Sequence, residues 1–122
     1  MILVDTSVWI DYLRKPEVKL QNILQNDEVA THPFVRLEIA LGSISNREHM
    51  LADPALLPHV PVAETDELFA LIELRRLHRR GIVITDLHLL ASALFDKSIS
   101  IWTRDRRLGE IADELGVRAA IP

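Results

Sequence analysis

The chain has 122 residues, with 18 acidic residues against 14 lysines and arginines, which gives a net charge of −4. This length suits one domain over residues 1–122, and the absence of cysteine excludes disulfides and thiolate metal sites. The net negative charge argues against a general nucleic-acid binder, because such proteins usually have a basic domain. It does not exclude local basic patches.

The chain opens with a predicted strand and two predicted helices. The strand is a short buried run at residues 1–4, MILV. A helix can begin directly after it, with Thr6 or Ser7 as the N-cap, and Pro16 ends that helix. A second helix is predicted in residues 16–26. Its inward side is expected to consist of Val18, Ile23 and Leu24.

The middle of the chain is punctuated by prolines. Residues 27–32, DEVATH, predict a short strand, and Pro33 fits the first turn of a helix that Gly42 ends. The inward stripe of this helix is expected to be Phe34, Leu37, Glu38 and Leu41. Residues 46–53 predict another helix, and the proline-bracketed residues 56–62 predict a small edge strand.

Two long helical patterns follow, at residues 64–81 and 86–97, the first ended by Gly81 and the second capped by Thr85. The apolar sides predicted for them are Leu68, Leu71, Ile72 and Leu74 in the first, and Leu87, Leu90, Ala91 and Leu94 in the second. The run ISIWT, residues 99–103, then predicts a strand.

A last helix at residues 106–116 and a strand at 117–121 complete an alternation of short apolar strands with helices. This alternation predicts an α/β fold in three layers, with a central parallel sheet of about four or five strands and helices on both faces. Ligands bind such sheets at the carboxyl ends of the strands.

Four acids stand where strands end or helices begin. Asp5 follows the first strand, Asp105 follows ISIWT, and Asp86 opens a helix after the run GIVIT. Glu38 completes an apolar stripe, a costly place for a charge unless it is paired or bound to a metal. Each acid alone can be a turn former, a cap or a paired surface acid. Together they point to one sheet edge, where their repulsion favours a divalent cation with oxygen ligands, Mg²⁺ or Mn²⁺ rather than Zn²⁺.

The same residues resemble a PIN domain, and more closely the ribonuclease toxins of VapBC toxin–antitoxin pairs. The likeness runs through DTSVWID, HPFVRLEIALG, DLHLLASAL and IWTRDRRL and covers nearly the whole chain. The family pattern is an Asp after the first strand, a Glu in a central helix, an Asp opening a later helix and an Asp after a T-R motif. The residues that match it, in order, are Asp5, Glu38, Asp86 and Asp105.

The resemblance implies a metal-dependent endoribonuclease with these four acids as catalytic and metal-binding residues and Mg²⁺, or Mn²⁺, as the cofactor. Thr103, and Thr6 beside Asp5, are expected to orient ligands or water. Such an enzyme hydrolyses RNA phosphodiesters by metal-activated water as the toxin of a type II toxin–antitoxin system. The alternative is a non-catalytic PIN-fold module that binds RNA or protein.

The partners implied are an RNA substrate, a cognate VapB-type antitoxin and a second copy of the chain in a homodimer. No cationic leader opens the chain and no apolar run approaches membrane-spanning length. We therefore expect a cytoplasmic protein without a membrane partner.

Two basic clusters are candidates for contact with RNA phosphates. One lies in RRLHRR, residues 75–80, and offers Arg79 and Arg80. It also fits a solvated helix end, where cations are favourable near the C-terminus. The other consists of Arg104, Arg106 and Arg107, which flank the last acid and can instead hold the acid cluster together in the metal-free state.

Overall fold

Three short strands alternate with six helices in residues 1–42 and 56–121, the part of the chain that this computed structural model describes. The strands are β1 (Ile2–Val4), β2 (Val29–Ala30) and β3 (Ser100–Trp102). The helices are α1 (Thr6–Arg14), α2 (Val18–Gln25), α3 (Pro33–Leu41), α4 (Thr65–Arg75), α5 (Ile84–Phe95) and α6 (Arg106–Glu114). The helix predicted at residues 46–53 lies outside the described residues. None of the described helices has the length and apolar character needed to span a bilayer.

The sheet is parallel and has the order β2-β1-β3, with Ile2 opposite both Val29 and Ser100. Single bridges extend each edge: Thr31 pairs with a residue of the 56–62 segment, and Ile101 pairs with the C-terminal segment. The parallel α/β architecture is confirmed, with three full strands in the described residues where four or five were predicted. Prolines 58 and 61 bracket the first bridge, and because proline has no N–H, that pairing cannot continue.

The core surrounds the middle strand and the helix α5. Leu3 and Val4 of β1 are fully buried, and eight of the twelve residues of α5 are buried. Leu87, Leu90 and Ala91 are among them, which confirms the stripe predicted for that helix. A helix buried on most of its circumference fixes the position of its own first turn, where Asp86 lies.

The stripe predicted for α3 is wrong. Val35 and Ile39 are its buried residues, while Leu37 and Leu41 are 58% and 86% exposed. The helix carries apolar residues at helical spacing on two faces. The packing of α3 against α1 buries the face that contains Val35 and Ile39. Glu38 is therefore half-buried at the border of the packed face, and it does not stand in a fully apolar stripe.

Two other helices also differ from prediction. In α2 the buried residue is Leu20, while Val18 is exposed. The helix α4 ends at Arg75, because Arg76 adopts the left-handed conformation with φ 53°, so the pattern does not continue to residue 81. Leu74, predicted to point inward, is 76% exposed.

The N-caps lie one or two residues before the predicted positions. Asp5 itself caps α1, so Thr6 and Ser7 belong to the first turn. Val83 occupies the N-cap of α5, and Thr85 is a buried residue inside the helix. This early start of α1 places the polar side chains of its first turn beside the end of β1.

Candidate active site

The ends of β1 and β3 meet because these strands are neighbours in the sheet. The backbone N–H of Asp5, directly after β1, donates to the carbonyl of Trp102 at 2.9 Å. Asp105 follows β3 by three residues and caps α6. The two acids predicted for strand ends thus lie on adjacent connections at the same sheet edge.

Asp5 is 5% exposed and is held by two hydroxyl groups. Its Oδ2 accepts hydrogen bonds from Thr103 Oγ1 at 2.7 Å and from Ser7 Oγ at 2.8 Å. Thr103 Oγ1 in turn accepts from the backbone N–H of Asp105 at 3.0 Å, and Ser7 Oγ accepts from the N–H of Arg104 at 3.0 Å. The connection after β3 is therefore fixed directly onto the carboxylate that ends β1.

Ser7 is a site residue that the sequence reasoning missed, since it was assigned only a possible capping role. A serine two residues after a strand-end Asp forms a local side-chain turn, and that pattern is the signal that identifies it. Thr103, in contrast, lies where the prediction put it, beside the first acid.

Glu38 is joined to α1 by a hydroxyl group. The Oγ1 of Thr6 donates to Glu38 Oε1 at 2.9 Å, and Thr6 is buried. This contact crosses from the first turn of α1 to the middle of α3. It places Glu38 next to the residue that follows Asp5.

Asp86 and Asp105 each accept a hydrogen bond from a backbone N–H at a helix N-terminus. Asp105 Oδ1 accepts from Leu108 N at 2.9 Å, and Asp86 Oδ2 accepts from Val83 N at 3.1 Å. These bonds satisfy donors that a helix start leaves unpaired, and the helix dipole favours a negative charge there. Both acids are thereby oriented by their own helices.

Electrostatics connects the four acids. Burial raises the pKa of Asp86 to about 6, the N–H of Val83 works against this, and the charges of Asp5, Asp105 and Glu38 raise the pKa further. Repulsion of this kind requires neighbouring charges. The structure therefore brings the four predicted acids into one electrostatic neighbourhood.

The donor set suits a hard divalent cation. In the hydrogen bonds of the described residues, each of the four acids anchors one carboxylate oxygen to the protein and leaves the other without a protein donor. Oxygen-only donors with excess negative charge are the chemistry that Mg²⁺ and Mn²⁺ prefer. Within residues 1–42 and 56–121, no three acidic or imidazole groups lie close enough to bind a single ion as they stand. Joint ligation would therefore need a further approach of these side chains.

Arg104 lies in the connection between β3 and α6 and contacts two acids that are not among the four. Its guanidinium lies 2.6 Å from Asp11 Oδ2, forms a second ion pair with Glu17, and sits over the Trp102 ring at 5.7 Å. These two carboxylates raise the pKa of Arg104. The side chain thus fastens the Thr103–Asp105 connection to α1 and to the start of α2, and its predicted contact with RNA stays a prediction.

We expect Arg104→Gln to lower the free energy of unfolding by about 1 kcal/mol, because two partly exposed ion pairs and a cation–π contact are lost. Urea unfolding at low and at high salt measures this, and the loss should shrink at high salt. Arg106→Gln is the matched control, since Arg106 is largely exposed and forms one pair, at 3.6 Å from Glu110. Unchanged stability together with weaker RNA binding by Arg104→Gln would contradict the fastening role.

Three of the other predicted basic residues lie around the turn after α4, while Arg106 pairs with Glu110 within α6. Arg80 pairs with Glu114 of α6 at 2.8 Å, and the guanidinium of Arg107 reaches the Gly81 carbonyl at 3.5 Å. Arg79 forms no ion pair or hydrogen bond within the described part of the chain. The structure therefore groups Arg79, Arg80 and Arg107, and it separates them from Arg104.

A buried histidine pair joins the helices that carry two of the acids. His32, the N-cap of α3, accepts a hydrogen bond from Phe34 N, and its ring lies 5.2 Å from that of His88 on α5. Phe34 packs on His88 with ring centroids 4.1 Å apart. Burial, and then the neighbouring His88, lower the pKa of His32 to about 4, so the ring is neutral. The contacts among these three packed rings fix the spacing between α3, which carries Glu38, and α5, which carries Asp86.

Comparison with known proteins gives one consistent result. The sequence pattern of the PIN domain family matches residues 2–114. Ribonuclease VapC32 from two strains of Mycobacterium tuberculosis is 44% identical over 120 residues, which cover 98% of this chain and 97% of that protein. The crystal structure of PAE2754 from Pyrobaculum aerophilum superposes with a TM-score of 0.60 over 96% of both chains at 14% identity, a likeness of fold alone.

Proposed function

This chain belongs to the PIN domain family, and on that premise we propose that it is an endoribonuclease acting as the toxin of a VapBC-type toxin–antitoxin pair. It works as a single PIN-like domain over residues 1–122. Its catalytic and metal-binding residues are Asp5, Glu38, Asp86 and Asp105, with Mg²⁺ or Mn²⁺ as the cofactor. The observation that carries the proposal is the placement of the four carboxylates: Asp5 and Asp105 are joined through Thr103, Glu38 is bonded to Thr6 beside Asp5, and the charges of all three act on Asp86.

Each polar residue around the acids has a definite task in this chemistry. Thr103 and Ser7 donate to one oxygen of Asp5 and hold its other oxygen in a fixed direction. Thr6 does the same for Glu38, and the N-termini of α5 and α6 orient the remaining two acids. When bound, a divalent cation stabilises the charge that builds on the phosphodiester and makes water at the site more acidic. The protein then needs no nucleophile of its own.

Protein partners follow from the same premise. We propose a VapB-type antitoxin and a second copy of this chain as partners, in the cytoplasm. Support comes from the name of the 44% identical relative, Ribonuclease VapC32, and several large apolar side chains are also exposed in the described residues. The three most exposed of them are Leu41, Leu56 and Leu74.

Metal removal tests the catalytic part. Purified protein is expected to cleave RNA with Mg²⁺ or Mn²⁺, to stop when EDTA is added, and to recover when the metal is restored in excess. The cut ends are mapped on a defined RNA, with Asp5→Asn protein purified in parallel to exclude contaminating nucleases. Cleavage that continues undiminished in EDTA, or equally in the variant, would contradict the proposed metal-dependent mechanism. Purified protein that binds RNA with metal present and does not cut it would favour the non-catalytic binding module.

A further inference from the structure

A cavity of about 460 Å³ lies between the end of α4, the turn that follows it and the first turn of α5. This volume is within the range of pockets that bind small organic groups. The lining residues that matter here are His78, Arg79, Arg80, Gly81, Val83 and Ile84. The walls are aliphatic, the mouth carries the two arginines and the histidine, and the side chains of Val83 and Ile84 are 61% and 62% exposed.

The cavity adjoins the acid site through two of its own walls. Val83 lines the cavity, and its backbone N–H donates to the Asp86 carboxylate. Gly81 lines it from the other side and lies against the side chain of Arg107, two residues after Asp105. A group bound in the cavity therefore lies beside the first turns of α5 and α6, two of the three helices that carry proposed catalytic acids.

The shape of the turn is set by the backbone. Arg79 and Gly81 both adopt positive φ, 59° and 78°. The φ of 78° favours glycine at position 81, and the side chain of Arg107 lies against it, with Cδ 2.8 Å from where a Cβ would stand. The turn that lines the cavity is thus in contact with the helix that Asp105 caps.

We propose that this cavity is a nucleobase subsite, which receives the base of an unpaired nucleotide next to the scissile phosphodiester; the inference rests on the ribonuclease function proposed above. Aliphatic walls accept the flat face of a base, and imidazole and guanidinium planes stack on it. Arg79, which has no other partner in the described residues, and its neighbours at the mouth complement the adjacent phosphates.

An RNA occupant fits better than an apolar protein segment for reasons of charge. The overall charge of the chain is −4, yet two arginines and a histidine line this one cavity, directly beside an acidic site. Arg80 is paired with Glu114, so an apolar peptide would use the walls and leave Arg79 without a partner. A nucleotide uses both.

The test compares an RNA whose cut site has been mapped with copies that carry an abasic nucleotide on either side of the cut. Wild-type protein is expected to cut one of the two abasic copies about tenfold more slowly, the usual effect of losing one base contact. Ile84→Trp, which fills the cavity from an exposed wall position, should cut the intact RNA about tenfold more slowly and lose the distinction between the two RNAs. Val18→Trp, at the exposed first position of α2 outside the cavity, is the matched control and should behave as wild type.

A second variant distinguishes a contact with the base from a contact with the phosphate. Arg79→Asn keeps a residue that tolerates positive φ and removes the charge, so KM should rise by the same factor for intact and abasic RNA. If wild type cuts both abasic copies as fast as intact RNA, or if Ile84→Trp keeps the full distinction, the subsite is refuted while the ribonuclease function stands. If Ile84→Trp leaves cleavage unchanged and loses only a protein partner, the cavity is a protein-docking site and the inference fails. If wild type cuts no RNA at all, the proposed function has failed first.

Discussion

Asp5→Asn is expected to reduce RNA cleavage by at least about 100-fold while the protein stays folded, because the substitution keeps the shape and removes the charge of a carboxylate that we propose binds the metal. The asparagine can still accept hydrogen bonds from Thr103 and Ser7. It also removes one of the charges that repel each other in the metal-free site. Cleavage of a defined RNA in Mn²⁺ and urea unfolding in EDTA together measure the two effects.

The control for this variant is Asp27→Asn, at an exposed residue with φ 55°. Asparagine adopts that left-handed conformation readily, so the control changes the net charge equally without straining the backbone. It should cleave RNA as wild type does. Full activity of Asp5→Asn, or equal losses in both variants, would remove the first acid from the mechanism.

Asp86→Asn is expected to lose cleavage to a similar extent and to make the metal-free protein more stable above pH 6. The pKa of Asp86 is raised from 3.8 to about 6 in the folded protein, so the folded state holds this proton more tightly than the unfolded state. The cost of ionising Asp86 is therefore absent below about pH 4, grows between pH 4 and 6, and is complete above pH 6. For a half-buried, partly screened carboxylate we expect a gain of about 1–2 kcal/mol.

The measurement is the difference in unfolding free energy between variant and wild type in EDTA, followed from pH 4 to pH 8. His32 acts in the opposite sense, because its pKa is lowered from 6.5 to about 4 and stability is lost as the pH falls through that window. This contribution is present in both proteins and cancels in the difference. A difference that stays flat with pH, or grows toward acid, would contradict the electrostatic neighbourhood described for the acids.

The acids were predictable because their places are set locally. An apolar run that ends on Asp predicts a strand followed by a turn or cap, and both Asp5 and Asp105 stand at such points. Asp86 was predicted to open a helix and is its third residue, an error of cap position within the same turn. Local rules of this kind predict which strand or helix a residue ends or begins. They predict the position of the cap only to within one or two residues.

Other features depend on neighbours that are distant in the chain. Arg104 was predicted to contact RNA or to hold the acid cluster together, and the sequence did not indicate its ion-pair partners, Asp11 and Glu17, which lie more than 80 residues earlier in the chain. Spacing along one segment contains no information about such partners. The same is true of the cavity before Asp86, whose walls come from two helices and the turn between them.

The sequence by itself determined the alternation of strands and helices, the family, and the four carboxylates in their order, because each follows from residue types at short spacing. The tertiary structure alone decided which face of α3 is buried, that Thr6 bonds Glu38 and Ser7 joins Thr103 on Asp5, and how the turn after α4 lies against α6. The physical reason is that helix packing and strand pairing choose among surfaces that are equally compatible with the local pattern. Only the assembled sheet brings the end of β1 next to the end of β3, and with it the acids into range of one another.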